Sequence, residues 1–420
     1  MNSFDKVIGY EDIKAELIRF CDVLGNPEKY RKLGVTAPKG VLLDGEPGIG
    51  KTLLAECFIE NTGRKSFLIR KDKPNGAFVD YIREIFEKAR AEAPCIIFLD
   101  DMDKFANEDS YHKDAEEYVA VQSCIDGVRN DDVFIIATIN DKDNLPDSLM
   151  RAGRFDKVIK MKAPEGDDAE KIIAFYLNQK QTVAELEVGE VARLMEGHSC
   201  AELEALINEA GIYAAYKGKE YIEREDILKA CMRIIFGAPE CMNPKDNPFL
   251  EYVAIHEAGH TVVAEVLEPG RVSLVSICRH SGQVEGVTQV RYSEGIKFSK
   301  ELYEYEILRT LGGRAALDVI KGITDMGANR DINKVVRMVS ELFDSMCIHG
   351  FDMHDDINMP QAVYEKRTYL ISCEIEKYYQ RARRILIENR DFLLAVTDAL
   401  LKKQTLTCRD IKDIRSSLAY

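Results

Sequence analysis

Apolar positions follow two alternating rhythms over the first 165 residues. Short β-rich runs stand at 41–43 (VLL), 67–69 (FLI), 96–99 (IIFL) and 133–136 (VFII), and helical patterns lie between them, as over 78–91. Runs this short and this uniformly apolar suit strands covered on both faces, so the alternation predicts a parallel sheet between two layers of helices. From about Asp168 to Gly237 the β-rich runs stop and four helical segments follow, among them 201–216, which ends near Gly218 as a helix stop should. Residues 238–249 (APECMNPKDNPF) hold three prolines with Asn and Asp and read as a linker. Beyond it the pattern is mainly helical, with strand-like runs at 272–278 and 284–292 and one long charged helix over 364–390. The expected division is an α/β domain over 1–165, a helical domain over 166–237, the linker, and a mainly α-helical domain over 250–420.

Composition narrows the partners. The 420 residues carry 57 basic and 72 acidic side chains, so 57 − 72 gives −15, which argues against nucleic acid or an anionic membrane as the main partner. No run approaches the roughly 18 apolar residues of a membrane helix, and the opening MNSFDKVIGYED is no signal peptide. The 11 cysteines include no C-x-x-C pair, and their odd number suits free thiols in a reducing cytoplasm.

The stretch 45–52 reads GEPGIGKT, a complete P-loop placed after a strand and before a helix. Such a loop needs glycines because its backbone N–H groups wrap phosphates, and side chains would block that approach. Gly45, Gly48 and Gly50 supply the bend, with Glu46, Pro47 and Ile49 between them; Lys51 reaches the β/γ phosphates of ATP and the Thr52 hydroxyl faces Mg²⁺. At the tip of the 96–99 run stand Asp100, expected to support Mg²⁺, and Asp101, expected to polarise the attacking water. Taken alone this acidic pair fits a solvated loop; one βαβαβ unit after a P-loop it reads as the second nucleotide motif. Asn140, at the next strand tip, either orients that water or simply closes the strand in a turn. Arg151 and Arg154 in RAGRFD fit surface ion pairing or, more sharply, arginine fingers delivered to a neighbouring subunit in a ring. Adenine and lid contacts are expected near Ile8, Gly9 and residues 198–201.

Residues 256–260 read HEAGH. On a helix, His256 and His260 stand at i and i+4 and face one way, a spacing that suits two ligands of a tetrahedral Zn²⁺. Glu257, one step round the turn, is placed to act on the attacking water instead of ligating the metal. A catalytic zinc needs a third protein ligand, and spacing alone leaves His280, His349, His354, Asp318, Asp325 and Asp331 as candidates.

From Phe4 to about Ile414 the chain resembles the FtsH-type AAA+ zinc proteases. The stretches that carry the resemblance are PKGVLLDGEPGIGKT (38–52), APCIIFLDD (93–101), RAGRFD (151–156), INEAG (207–211), HEAGH (256–260), LGGRAA (311–316) and GANRDI (327–332). The resemblance implies an AAA+ nucleotide-binding domain, a helical lid and a zinc protease domain, assembled as a homohexamer that unfolds proteins with ATP and Mg²⁺ and degrades them at one zinc per subunit. It puts the third zinc ligand on Asp331, the catalytic role on Glu257 and the trans-acting role on Arg151 and Arg154. It also implies that an extended peptide substrate adds to a sheet edge near 272–278.

Three departures accompany it. The family's N-terminal membrane segment is absent from this chain, which suggests a naturally soluble member. Asp101 stands where the family has glutamate, pulling the carboxylate roughly 1.5 Å back, a misplacement that can cost on the order of 10²-fold. The pore-loop stretch 71–78 (KDKPNGAF) lacks the family's aromatic grip, because the spacing of Phe78 to Ile82 and Ile85 suits a core role. The expected activity is ATP-dependent zinc endopeptidase; the alternatives are a nucleotide-gated zinc peptidase for unfolded peptides and a remodelling or binding AAA+ protein.

Overall fold

The computed structural model describes the chain except residues 1–2, 107–114, 143–144, 147, 152, 183–186, 238–248, 279–285, 292–298, 349, 351–359 and 419–420, and the side chains of 75 and 115. It divides into two compact units, Met1–Cys231 and Met232–Tyr420. All of the linker predicted over 238–249 except Phe249 lies outside the described residues, as do His280, His349 and His354.

In the first unit, helices α1 (Glu11–Gly25) and α2 (Pro27–Arg31) precede strand β1 (Gly40–Asp44). There follow α3 (Lys51–Thr62), β2 (Lys65–Ile69), α4 (Asn75–Ala91), β3 (Cys95–Leu99), α5 (Ala115–Gly127), β4 (Val133–Ile139) and β5 (Lys157–Lys160). All five strands are parallel, in the order β2-β3-β4-β1-β5. Because side chains alternate across a strand, the apolar runs feed two cores. Leu42, Ile97 and Ile135 pack with Phe78, Ile82 and Val121 on one face. Val41, Leu43, Ile96, Phe98 and Ile136 pack with Leu17, Leu54 and Phe58 on the other. Each fully buried large side chain contributes roughly 1.5–3 kcal/mol, and this double burial makes β1, β3 and β4 near-continuous apolar runs. The edge strand β5 (KVIK) buries only Ile159, and its lysines suit an exposed edge. The unit closes with α6 (Gly166–Leu177), α7 (Val188–Leu194), α8 (Cys200–Tyr216) and α9 (Arg224–Phe236), the last running across the division between units. These are the four helical segments expected after Asp168.

In the second unit, α10 (Leu250–Leu267) leads to β6 (Val272–Ser276), β7 (Val287–Val290), α11 (Lys300–Lys321), α12 (Asn329–Asp344), α13 (Gln361–Glu388), α14 (Arg390–Lys403), β8 (Thr405–Thr407) and α15 (Cys408–Ser417). The long charged helix expected over 364–390 is α13, which ends at Glu388, two residues short of the expected bound; α14 starts at Arg390. Ile255, Ala258 and Val262 of α10 share one core with Ile307, Leu311 and Ala315 of α11 and Leu393 and Val396 of α14. Where α10 and α11 cross, a Cβ on Gly259 would lie 2.3 Å from the Gly312 carbonyl oxygen, and one on Gly312 would lie 2.6 Å from that of Gly259. Only glycine on both helices permits that approach. Among the described residues no helix is long and apolar enough to cross a membrane.

The three strands of this unit form an antiparallel sheet in the order β7-β6-β8. The run 272–278, expected as a peptide-binding edge, is not an edge: β6 has β7 on one side and β8 on the other, and its backbone groups are already paired. The edges of the sheet are β7 and β8.

Candidate functional site

The P-loop bridges the end of β1 and the start of α3, with Gly48 and Gly50 at φ 79° and 93°. Glycine alone takes that left-handed backbone without strain. Lys51 is 5% exposed; its Nζ donates to the carbonyl oxygens of Gly45 and Glu46 at 2.6 and 2.7 Å and to Asn140 Oδ1 at 3.0 Å. Asn140 in turn donates from Nδ2 to Asp103 Oδ2 at 3.3 Å. Burial lowers the Lys51 pKa, against the attraction of Asp101, Asp103 and Asp44.

Asp100 sits at the tip of β3, 1% exposed. Its Oδ1 accepts from the hydroxyls of Thr52 at 3.0 Å and Thr138 at 2.9 Å. Its Oδ2 accepts from Arg70 Nε at 2.8 Å and also from Arg70 Nη2. Burial works to raise the pKa of Asp100, but these donors outweigh it and keep the carboxyl ionised below its ordinary range. An ionised carboxylate bonded to the P-loop hydroxyl is the donor set an octahedral Mg²⁺ uses beside phosphates. Asp101 adopts a left-handed backbone at φ 52°, its N–H donates to Thr138 Oγ1 at 2.8 Å, and its Oδ2 meets Lys104 Nζ at 2.6 Å. Sequence reasoning missed Arg70, just past the end of β2, and Thr138 of β4, single residues outside any motif.

Residues 198–201, where adenine and lid contacts are expected, lie beside the P-loop. Ser199 caps α8 in a capping box with Glu202, and the Ala201 N–H donates to the Gly48 carbonyl at 3.0 Å. Gly9 lies against Asp168, and the next residue, Tyr10, donates its N–H to Asp168 Oδ2 at 3.0 Å. Of the two arginines, Arg151 is exposed. Arg154 forks Asp126, Nε to Oδ1 at 2.9 Å and Nη2 to Oδ2 at 2.7 Å, while Nη1 reaches the Ser148 carbonyl.

In the second unit the HEAGH helix is α10. His256 and His260 bring their Nε2 atoms within 3.0 Å of each other, and Asp331 Oδ2, from the first turn of α12, stands 3.3 Å from both. Among the described residues these three form the one group of His, Cys, Asp and Glu whose ligand atoms converge within 4.8 Å. The far side of each ring is fixed. His256 Nδ1 donates to Asp325 Oδ2 at 2.6 Å, and His260 Nδ1 donates to the Arg309 carbonyl at 2.7 Å. Donation from Nδ1 leaves Nε2 as the lone-pair atom. Two such nitrogens and a carboxylate oxygen aimed at one point repel one another unless a cation lies between them, so the donor set fits Zn²⁺. The surrounding carboxylates favour a positive charge at this point, as a proton or as a metal ion. Burial disfavours charge on His256, but Asp325 and Asp331 outweigh it and raise its pKa to about 10. Asp331, despite burial, is held below the usual carboxylate range by the two histidines.

Of the other candidate ligands, Asp318 bonds Tyr379 and Arg383, and Asp325 stands behind His256, away from the convergence. The LGGRAA stretch makes room for the site, since a Cβ on Gly313 would lie 2.5 Å from the His256 ring. Glu257 is 7% exposed, and its Oε2 accepts from the Thr288 hydroxyl of β7 at 2.7 Å.

Comparison with known proteins agrees with both halves. Residues 41–163 match the ATPase family associated with various cellular activities (AAA), 185–229 the AAA+ lid domain, and 246–414 peptidase family M41. The chain is 33% identical to the ATP-dependent zinc metalloprotease FtsH of Bacillus subtilis, over 98% of this chain and 69% of that protein. It is 30% identical to FtsH 2 of Symbiobacterium thermophilum, over 99% of this chain and 75% of the relative. With FtsH 2 of a Thermoanaerobacter species it shares 29% identity over 98% of this chain and 82% of the relative. A nucleotide loop and an HExxH metal helix in one chain, matched over 98–99% of this chain at these identities, place the chain in the FtsH family of ATP-dependent zinc metalloproteases.

Proposed function

We propose that this chain binds ATP through 45–52 and cleaves protein substrates at a zinc held by His256, His260 and Asp331, with Glu257 as the base. The observation that carries the reading is the convergence of three ligand atoms beside Glu257, each imidazole anchored from behind. Bound there, Zn²⁺ supplies Lewis acidity that makes water a better acid and polarises the peptide carbonyl. Glu257 takes the proton from the attacking water and passes it to the leaving amine. In the first unit Lys51 neutralises phosphate charge, and Thr52 with Asp100 would hold Mg²⁺, which shields the phosphates. Asn140 and Asp101 would orient and polarise the attacking water, and Arg151 would cross to the neighbouring nucleotide in a homohexamer.

The motor is slow. Asp101 has one methylene less than the family glutamate and is drawn to Lys104. The pore stretch offers no aromatic grip, because Phe78 is fully buried against Phe105 and Lys71 is paired with Glu117. Flexible or damaged proteins are therefore the preferred substrates.

Two variants test the reading. Glu257→Gln should keep one zinc and its ATPase rate but lose casein cleavage. Lys51→Ala should lose fluorescent-nucleotide binding while retaining zinc. Cleavage surviving in the first, or unchanged nucleotide affinity in the second, contradicts the corresponding half.

A further inference from the structure

Strand β7 confines the carboxylate of Glu257 from two sides. Residues two apart on a strand face the same way, and Gly286, just before β7, and Thr288 within it both meet Glu257. The Thr288 hydroxyl lies 2.7 Å from Oε2 and 3.2 Å from the Glu257 carbonyl oxygen, so its single proton goes to the nearer carboxylate oxygen. At Gly286 a Cβ would lie 2.6 Å from Oε1. The backbone of β7 is itself held by β6, with Thr288 opposite Val275. Threonine is stiff about χ1, so the hydroxyl is presented in a fixed direction from a strand paired to β6. One carboxylate oxygen is therefore committed to a hydrogen bond, and the space before the other depends on a missing side chain.

We propose that Thr288 is a positioning residue for Glu257, and that its hydroxyl commits Oε2 so that Oε1 is the oxygen that takes the proton. The inference rests on the reading of Glu257 as the base. One O–H bond of the water breaks, its electron pair stays on oxygen and attacks the peptide carbonyl carbon, and the proton moves to Oε1. When the C–N bond breaks, that proton goes to the amine nitrogen and Glu257 is again ionised. Without the Thr288 bond the carboxylate rotates freely about its last torsion, which is broad and has no strong staggered preference. A misplacement of about 1 Å at such a base can cost on the order of 10²-fold.

The test compares Thr288→Val, Thr288→Ser and Gly286→Ala in the full chain, reading kcat and KM on casein, zinc per chain by metal analysis, and thermal midpoint. Valine keeps the size and strand preference of threonine and removes only the hydroxyl. Thr288→Val is expected to keep one zinc, the wild-type midpoint and a KM within about twofold, while kcat falls roughly 10- to 100-fold. Thr288→Ser should restore kcat to within about threefold of wild type, because the donor returns. Gly286→Ala should lose kcat with zinc retained, an independent route to the same carboxylate should either Thr288 variant fold poorly. An unchanged kcat in Thr288→Val, serine as poor as valine, or zinc lost together with activity overturns the proposal. Glu257→Gln separates the layers: if that variant still cleaves, the base assignment itself fails, whatever Thr288 does.

Discussion

The Nδ1 atom of His256 lies 2.6 Å from Oδ2 of Asp325, on the edge of the ring opposite the Nε2 that faces Asp331. Asp325 therefore orients a ligand, and Asp331 is placed as one. An outer partner of this kind typically changes metal affinity 10- to 100-fold. Asp325→Asn should weaken zinc binding by about that factor in a chelator competition yet still fill to one zinc per chain with excess metal. Asp331→Ala should not retain tight zinc. Tight zinc in Asp331→Ala, or its complete loss in Asp325→Asn, would reverse the two roles.

The two arginines of RAGRFD separate in the same way. Arg154 is bound in its own subunit by Asp126 and the Ser148 carbonyl, whereas Arg151 is exposed. Doping Arg151→Ala subunits into wild type should lower ATPase activity more steeply than the mutant fraction. Arg154→Ala should instead cost roughly 1–2 kcal/mol of stability, because it removes charge-assisted bonds. A strictly linear fall with Arg151→Ala, together with a monomer by light scattering, contradicts the ring.

Asp101→Glu tests the slow motor. Glutamate restores the missing methylene beside Asp100, so ATP turnover should rise, by up to about 10²-fold if reach alone limits the rate. Unchanged turnover would mean that the left-handed backbone at Asp101 already sets the carboxylate in place.

Support for the metal centre extends to a partly buried ion cluster between α11 and α12. Glu306 accepts from Arg309 Nε at 3.1 Å and Lys334 Nζ at 2.7 Å, and Arg309 supplies the carbonyl that holds His260. Burial opposes ionisation of Glu306, but Arg309 and Lys334 prevail and lower its pKa from 4.5 to about 2. A carboxylate depressed on folding stabilises the protein fully above its unfolded pKa, and that contribution is lost as pH falls toward the folded value. In urea unfolding, the stability difference between wild type and Glu306→Gln should be on the order of 1–3 kcal/mol at pH 7 and shrink below pH ~4.5. A difference that stays constant from pH 7 to pH 3 contradicts the assignment.

What was legible in the sequence follows from burial. Strands β1, β3 and β4 are covered on both faces and announce themselves as apolar runs, while β5 buries one residue in four and β8 is only three residues long. The break at Asn389 carries neither proline nor glycine, so the charged pattern ran through it. Helical spacing gave the two histidines, but spacing alone could not choose Asp331 over Asp325, because both lie near the turn from α11 into α12 and only their side-chain geometry tells them apart. Arg70, Thr138 and Thr288 stayed hidden for a related reason: each acts from a segment distant in sequence from the residue it holds, and none belongs to a motif.

The most direct measurement is degradation of a stably folded, tagged protein by the wild-type chain, with ATP and with a non-hydrolysable analogue, beside casein as an unfolded control. If ATP hydrolysis in the first unit drives cleavage in the second through a weak motor, the folded protein is degraded slowly with ATP and not with the analogue, and casein is degraded faster than either. Equal degradation of the folded protein with ATP and with the analogue would contradict the coupling.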